Sequence, residues 1–173
     1  GVDPSANVVE VARSYGVDAQ VSFFGAEVAK QVVSDYGQAS AIISANVMCH
    51  LPDLNDIAKG AFNLLNEKGV LIFEDPYLGS MLEKVSYDQI YDEHVYIFSV
   101  SSIKKIFNDF NFDLIDVIPQ ITHGGSMRYV VARRDEYKIK DGVKLHETRE
   151  REIQLDNFDG LLEFKKNCLL SKE

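Results

Sequence analysis

The sequence predicts an α/β fold, a mostly parallel sheet covered by helices and closed by an antiparallel last strand. Two observations carry this. Segments of helical and strand periodicity alternate almost from the first residue to Arg134, which is the pattern of βα units in a doubly wound sheet. The alternation then breaks, because only residues 119–126 separate the last two strand segments. A parallel pair needs a crossover of about a dozen residues, so these two are expected to pair antiparallel.

Each element has its own signal. Gly1-Val2-Asp3-Pro4 reads as a strand end running into a turn, so the domain is expected to be truncated at its N-terminus, lacking its first strand and the loop after it. Residues 5–15 place Val8, Val9, Val11 and Ala12 near helical spacing, with Gly16 as the stop. Residues 19–23 form a short strand. A second amphipathic helix over 25–36 uses Val28, Ala29, Val32 and Val33 and ends at Gly37. Residues 39–44 are an apolar run of buried-strand length. Asp53 is placed to cap a helix whose inner face is Leu54, Ile57, Ala58, Ala61, Phe62 and Leu65, and Glu67-Lys68-Gly69 is expected to end it. Val70-Leu71-Ile72-Phe73 is the next buried strand. Residues 77–98 are irregular and aromatic. Ser99 or Ser101 caps a helix ending near Asn111, and strands follow over 112–118 and 127–132. Beyond Arg134 the chain becomes strongly charged and then amphipathic through Leu161, Leu162, Phe164 and Leu169. Residues 1–134 are therefore assigned to one domain, and 135–173 to a helical connector towards a further C-terminal domain.

Composition narrows the partners. The 173 residues carry a net charge of −9, and no basic run exceeds Lys104-Lys105 or Arg133-Arg134. A nucleic-acid binder shows a basic stripe, and an acidic surface is repelled by anionic membranes, so a small molecule is the expected ligand. No apolar run approaches the roughly 18–20 residues that span a bilayer. Cys49 and Cys168 are the only cysteines; they lack metal-ligand spacing and are expected as free thiols in a reducing, cytoplasmic compartment.

Candidate site residues cluster after strand ends, where open α/β sheets bind ligands. Asp3 could accept hydrogen bonds from both hydroxyls of a ribose, or merely cap the following helix. Phe23 and Phe24 could wall an adenine ring or pack in the core. Ala45 and Asn46 follow the next strand. Two segments interrupt the hydrophobic pattern: Ala45-Asn46-Val47-Met48-Cys49-His50-Leu51-Pro52, and Tyr87-Asp88-Gln89-Ile90-Tyr91-Asp92-Glu93-His94. A histidine is largely neutral at pH 7 and suits removal of a carbon-bound proton beside a carbonyl. Tyr91 and Asn46 are donors for a developing enolate oxygen, and Glu93 is a carboxylate for orientation or for sugar hydroxyls. The plainer reading is an exposed polar turn with a solvated histidine.

Tyr91-Asp92-Glu93-His94-Val95-Tyr96-Ile97-Phe98-Ser99 resembles the signature of the sugar-nucleotide C-methyltransferases. The likeness extends to Phe73-Glu74-Asp75-Pro76-Tyr77-Leu78-Gly79, to His123-Gly124-Gly125-Ser126-Met127-Arg128-Tyr129, and to Ala45-Asn46 with Cys49-His50. The resemblance implies a Rossmann-like class I methyltransferase sheet that uses S-adenosylmethionine to methylate a carbon, C3, of a 4-keto-deoxysugar nucleotide. It implies His94 as general base, with Tyr91 and Glu93 beside it. Asn46 and His50 would lie around the sugar, and Asp3 would be the ribose ligand of the methyl donor. It implies zinc only in an N-terminal cysteine module that these residues do not include, and no metal within them. The His-Gly-Gly segment has no role assigned by it beyond a tight turn. The alternatives are oxygen or nitrogen methylation of another small molecule, and a nicotinamide-dinucleotide-binding domain.

Overall fold

The computed structural model describes residues 1–171. Six strands and seven helices follow one another as β1 (Val2–Asp3), α1 (Ala6–Ser14), β2 (Gln20–Val21), α2 (Ala26–Tyr36), β3 (Ala39–Ala45), α3 (Leu54–Leu64), β4 (Leu65–Pro76), α4 (Leu78–Lys84), α5 (Val100–Asn108), β5 (Phe112–Gln120), β6 (Ser126–Arg133), α6 (Asp141–Glu152) and α7 (Phe158–Leu170). Short 3₁₀ turns at Met48–His50, Tyr87–Gln89 and Thr122–Gly124 lie in the connections.

The strands form two sheets. β1 and β2 pair in parallel, and the larger sheet runs β3-β4-β6-β5. β3 and β4 are parallel, whereas β6 is antiparallel to both β4 and β5. The last strand is thus inserted between β4 and β5, as the short connection required. An antiparallel strand inserted between β4 and β5 argues against the dehydrogenase-like alternative, whose sheet is mostly parallel.

β1 and β3 face one another across a cavity of about 430 Å³ lined by Gly1, Val2, Phe24, Ala41, Ile42, Ser44, Ala45 and Met48. Each strand has one paired edge and one open edge on this side, and Ile43 is 77% exposed. An open edge displays unpaired N–H and C=O groups, the form of surface that accepts another strand.

The core lies where α3 and α5 cover the larger sheet. Phe73 stacks on Tyr129 at 4.9 Å between ring centroids and also meets Phe98 and Phe107, all of them buried. Burying one such side chain contributes roughly 1.5–3 kcal/mol. Asp53 caps α3 by accepting from the N–H groups of Asn55 and Asp56, and Ser99, not Ser101, caps α5 through a reciprocal pair with Ser102. At Gly60 an added Cβ would come within 2.8 Å of the Gly25 backbone, so α2 and α3 approach closely only because this residue is glycine.

Three boundaries differ from the sequence expectation. α3 ends at Leu64, not at Gly69, and β4 begins at Leu65. The reason is tertiary: Ala39 of β3 pairs with Leu65, which draws 65–69 into the sheet despite their polar side chains. The irregular 77–98 stretch contains α4, whose N–H at Leu78 donates to the carbonyl of Phe98. The charged run after Arg134 contains α6, which buries Val143 and Glu150 against α5 and β5. The sequence shows it only as a strongly charged part of the connector, because its apolar residues are few and its buried acid is paired through residues distant in sequence.

Candidate active site

The C-terminal end of β4 organises the site. Because β6 runs antiparallel, Pro76 pairs with Ser126, and Ser126 pairs with Gln120 of β5. The His-Gly-Gly turn therefore sits at the same sheet edge as Glu74 to Tyr77. Ala45, at the end of β3, pairs with Glu74, which brings the Asn46–His50 connection to this edge as well. Asn46 has φ 53°, a left-handed conformation asparagine tolerates, and its N–H donates to the Glu74 carbonyl at 2.7 Å.

The 87–98 segment folds over these elements. Tyr96 N–H donates to the Cys49 carbonyl, the Tyr96 hydroxyl donates to the Pro52 carbonyl, and Tyr77 and Phe98 form a bridge. His50 and His94 come to 5.1 Å between ring centroids. His50 Nδ1 lies 2.6 Å from the Glu93 carbonyl, and His94 Nδ1 lies 2.8 Å from the Gln89 carbonyl. A carbonyl can only accept, so each Nδ1 carries the hydrogen and each neutral ring keeps a bare Nε2. The Tyr91 hydroxyl donates to His94 Nε2 at 3.0 Å. The chain thus prepares two imidazoles in one tautomer, both half-buried.

Beneath them lies a group that the sequence reading did not single out. Asp75 is fully buried; its Oδ1 accepts from Cys49 N–H at 3.2 Å, and among the described residues Oδ2 has no hydrogen-bond partner. Burial pushes the Asp75 carboxyl up, against the lowering effect of Cys49, His50 and His94. Burial also pushes the Cys49 thiol far up, reinforced by Asp75. Cys49, His50 and His94 hold their ligating atoms within 4.8 Å of one another, a juxtaposition invisible in sequence because His94 comes from a distant loop. Burial and the adjoining Asp75 carboxyl both favour the protonated thiol of Cys49.

Asp75 carries a testable consequence. A carboxyl raised in the folded state contributes its full stability below its unfolded pKa, and that stability is lost as pH rises through the folded value. Asp75→Asn should therefore melt higher than the native chain at pH 7, with the difference closing as pH falls towards 4. Equal melting temperatures across that range would show that the carboxylate is compensated.

The residues expected to hold a cofactor lie around β1 and β3. Asp3 ends β1, and its Oδ1 accepts from Ser5 N–H at 2.8 Å in the turn before α1; Ser5 is the N-cap of that helix, so Asp3 is not its cap, and one of its oxygens is committed to the turn. Phe23 is 70% exposed, whereas Phe24 packs on the core. Ala45 lines the cavity between β1 and β3. Glu93 and Tyr91 lie on the exposed side of their loop, and it is the Glu93 carbonyl that holds His50.

A family model described as a methyltransferase domain matches residues 1–117. The chain belongs to this methyltransferase family. The C-methyltransferase NovU of Streptomyces niveus is 32% identical over 127 residues, covering 73% of this chain and 30% of that protein. The chain thus spans about a third of the length of that relative. Among solved structures, a SAM-dependent methyltransferase of Anabaena variabilis superposes with a TM-score of 0.59 at 16% identity, covering 78% of this chain and 67% of that one. Magnesium protoporphyrin IX methyltransferase of Synechocystis, solved with bound SAH, gives 0.55 at 18% identity, covering 77% and 63%. The fold of this methyltransferase domain is the class I, SAM-dependent one, mostly parallel with an inserted antiparallel strand.

Among the described residues, no helix is long and apolar enough to cross a membrane.

Proposed function

We propose that this domain transfers a methyl group from S-adenosylmethionine to C3 of a 4-keto-deoxysugar nucleotide, with His94 as the base. The observation that carries the reading is the His94 ring: Nδ1–H is spent on the Gln89 carbonyl, so Nε2 is an acceptor at the sheet edge where such folds bind ligands. The similarity to NovU, a C-methyltransferase, favours carbon over oxygen or nitrogen as the methyl acceptor.

The residues present fit part of a cofactor site. The cavity between β1 and β3 has apolar walls and two open strand edges, and Asp3, Phe23 and Ala45 stand at or beside the strand ends that border it. On this reading a further parallel strand and its glycine-rich turn complete the wall in the gap. When bound, the cofactor supplies an electrophilic methyl on sulfonium sulfur.

The chain's own residues do the remaining work. His94 Nε2 takes the C3 proton, and the C–H electron pair moves into the ring of the sugar as an enolate on the C4 oxygen. Tyr91, displaced from Nε2 by the substrate, and Asn46 donate to that oxygen, while His50 and Glu93 position the sugar hydroxyls. The enolate carbon so formed would be the nucleophile for the methyl group that the cofactor would supply, and the His94 imidazolium would then release its proton to water. General-base assistance of this kind contributes about 10²–10⁴-fold.

In deuterium oxide, the full-length protein should wash deuterium into C3 of the keto-sugar nucleotide, read by proton NMR. A methylated product bearing the methyl on oxygen or nitrogen, with no deuterium at C3, would sink the carbon-methylation reading.

A further inference from the structure

The His-Gly-Gly turn has left-handed backbone throughout: His123 at φ 50°, Gly124 at 74° and Gly125 at 138°. Only glycine fits the last position, since a Cβ there would meet the Ser80 Cβ at 2.5 Å. The strained turn is held from several sides. Gly125 accepts from Tyr77 N–H at 3.1 Å and donates its own N–H to the Thr122 carbonyl. The Thr122 hydroxyl donates to Glu74 Oε1, and Arg128 pairs with Glu74 Oε2. The turn is thereby fixed to β4 and α4, and two of its carbonyls are turned outward. Lys84 Nζ donates to the Gly124 carbonyl. Gln89 Nε2 donates to the His123 carbonyl at 2.6 Å.

Gln89 is also the residue whose carbonyl accepts from His94 Nδ1. One residue therefore joins the fixed turn to the imidazole: its side chain is anchored on His123, and its backbone sets the tautomer and orientation of His94. We propose that Gln89 is a positioning residue, and that the His-Gly-Gly turn serves as its anchor, keeping His94 as the Nδ1–H tautomer with Nε2 as an acceptor. The His123 imidazole takes no part in this; the turn contributes main-chain acceptors.

The physical need is clear from the local bonding. Around His94 the loop bonds include local turns, Ser86 carbonyl to Gln89 N–H, Tyr87 carbonyl to Ile90 N–H and Tyr91 carbonyl to His94 N–H, while Ser86 N–H reaches the Met81 carbonyl and the Glu93 carbonyl reaches His50. These bonds fix the ends of the segment, and at Gln89 itself the bond to His123 is the long-range one that sets where its carbonyl points. A histidine that flips or changes tautomer presents N–H where the reaction needs a lone pair.

This inference rests on His94 as the base, and the test separates the two. Gln89→Met keeps the length and removes the donor; Gln89→Lys supplies a donor to the same carbonyl. The ¹⁵N shifts of the imidazoles report the tautomer, with the His94 signal assigned by its loss in His94→Asn, and kcat is read on the full-length protein. In the Met variant His94 should lose its single tautomer and kcat should fall about 10–100-fold, the range typical of groups that orient a functional histidine, with KM little changed. The Lys variant should recover most of both. An unchanged His94 tautomer in the Met variant, or an equal loss in the Lys variant, overturns the tether. A lost tautomer with undiminished kcat leaves the tether standing and overturns His94 as the base.

Discussion

Replacing His94 with Asn is expected to lower turnover of the full-length protein about 10²–10⁴-fold while leaving S-adenosylmethionine affinity nearly unchanged. Asparagine can keep a donor near the position of Nδ1, but it places no group at Nε2 and cannot take a proton near neutral pH. The effect belongs to kcat because the lost function acts in the transition state and not in binding. Glu93→Gln should cost less, since in this fold it is the Glu93 backbone, not its carboxylate, that holds His50. Paired kinetics and cofactor titration decide the matter. A dead Glu93→Gln beside a fully active His94→Asn would reverse the two roles, and full activity in both would leave the histidines as packing groups.

The second large effect concerns stability. Glu150 of α6 is 2% exposed, and its carboxylate accepts four hydrogen bonds. These come from the Tyr77 hydroxyl at 3.0 Å, Val100 N–H at 2.6 Å, Ser101 N–H at 3.0 Å and the Ser101 hydroxyl at 2.6 Å. The acid satisfies N–H groups in the first turn of α5 and meets the positive end of that helix. It also ties down Tyr77, the residue at which β4 leaves the sheet for the site. Glu150→Ala strands all of these donors in a dry environment and should cost about 3–5 kcal/mol, or roughly 6–20 °C in melting temperature for a domain of this size. The exposed neighbour Glu152→Ala is the control and should lie within about 0.5 kcal/mol of the native chain. A loss below about 1 kcal/mol for Glu150→Ala would mean that water or another acceptor replaces the carboxylate.

Glu150 also illustrates why part of the molecule was not legible beforehand. Helices α1, α2 and α5 announce themselves by apolar spacing and by stops or caps such as Gly16, Gly37 and Ser99, because those signals are local. α6 has no apolar face of its own; it is a helix on account of what Val143, His146 and Glu150 meet on other elements. The same holds for 65–69, which continue β4 only because β3 lies alongside.

At the site, the local chemistry was readable: residues competent for proton transfer at Tyr91, Glu93 and His94, donors at Asn46 and His50, and a glycine turn at 124–125. The antiparallel sense of the last pair was readable too, since the five residues between β5 and β6 cannot hold a crossover helix. Only the tertiary structure could join Cys49 and His50 to His94, bury Asp75 beneath them, and spend Nδ1 of each histidine on a backbone carbonyl. Sequence order determines which groups are available and how their strands run. Which lone pair faces the ligand is decided by carbonyls at Gln89 and Glu93, and their direction is a property of backbone dihedrals that no side-chain pattern encodes.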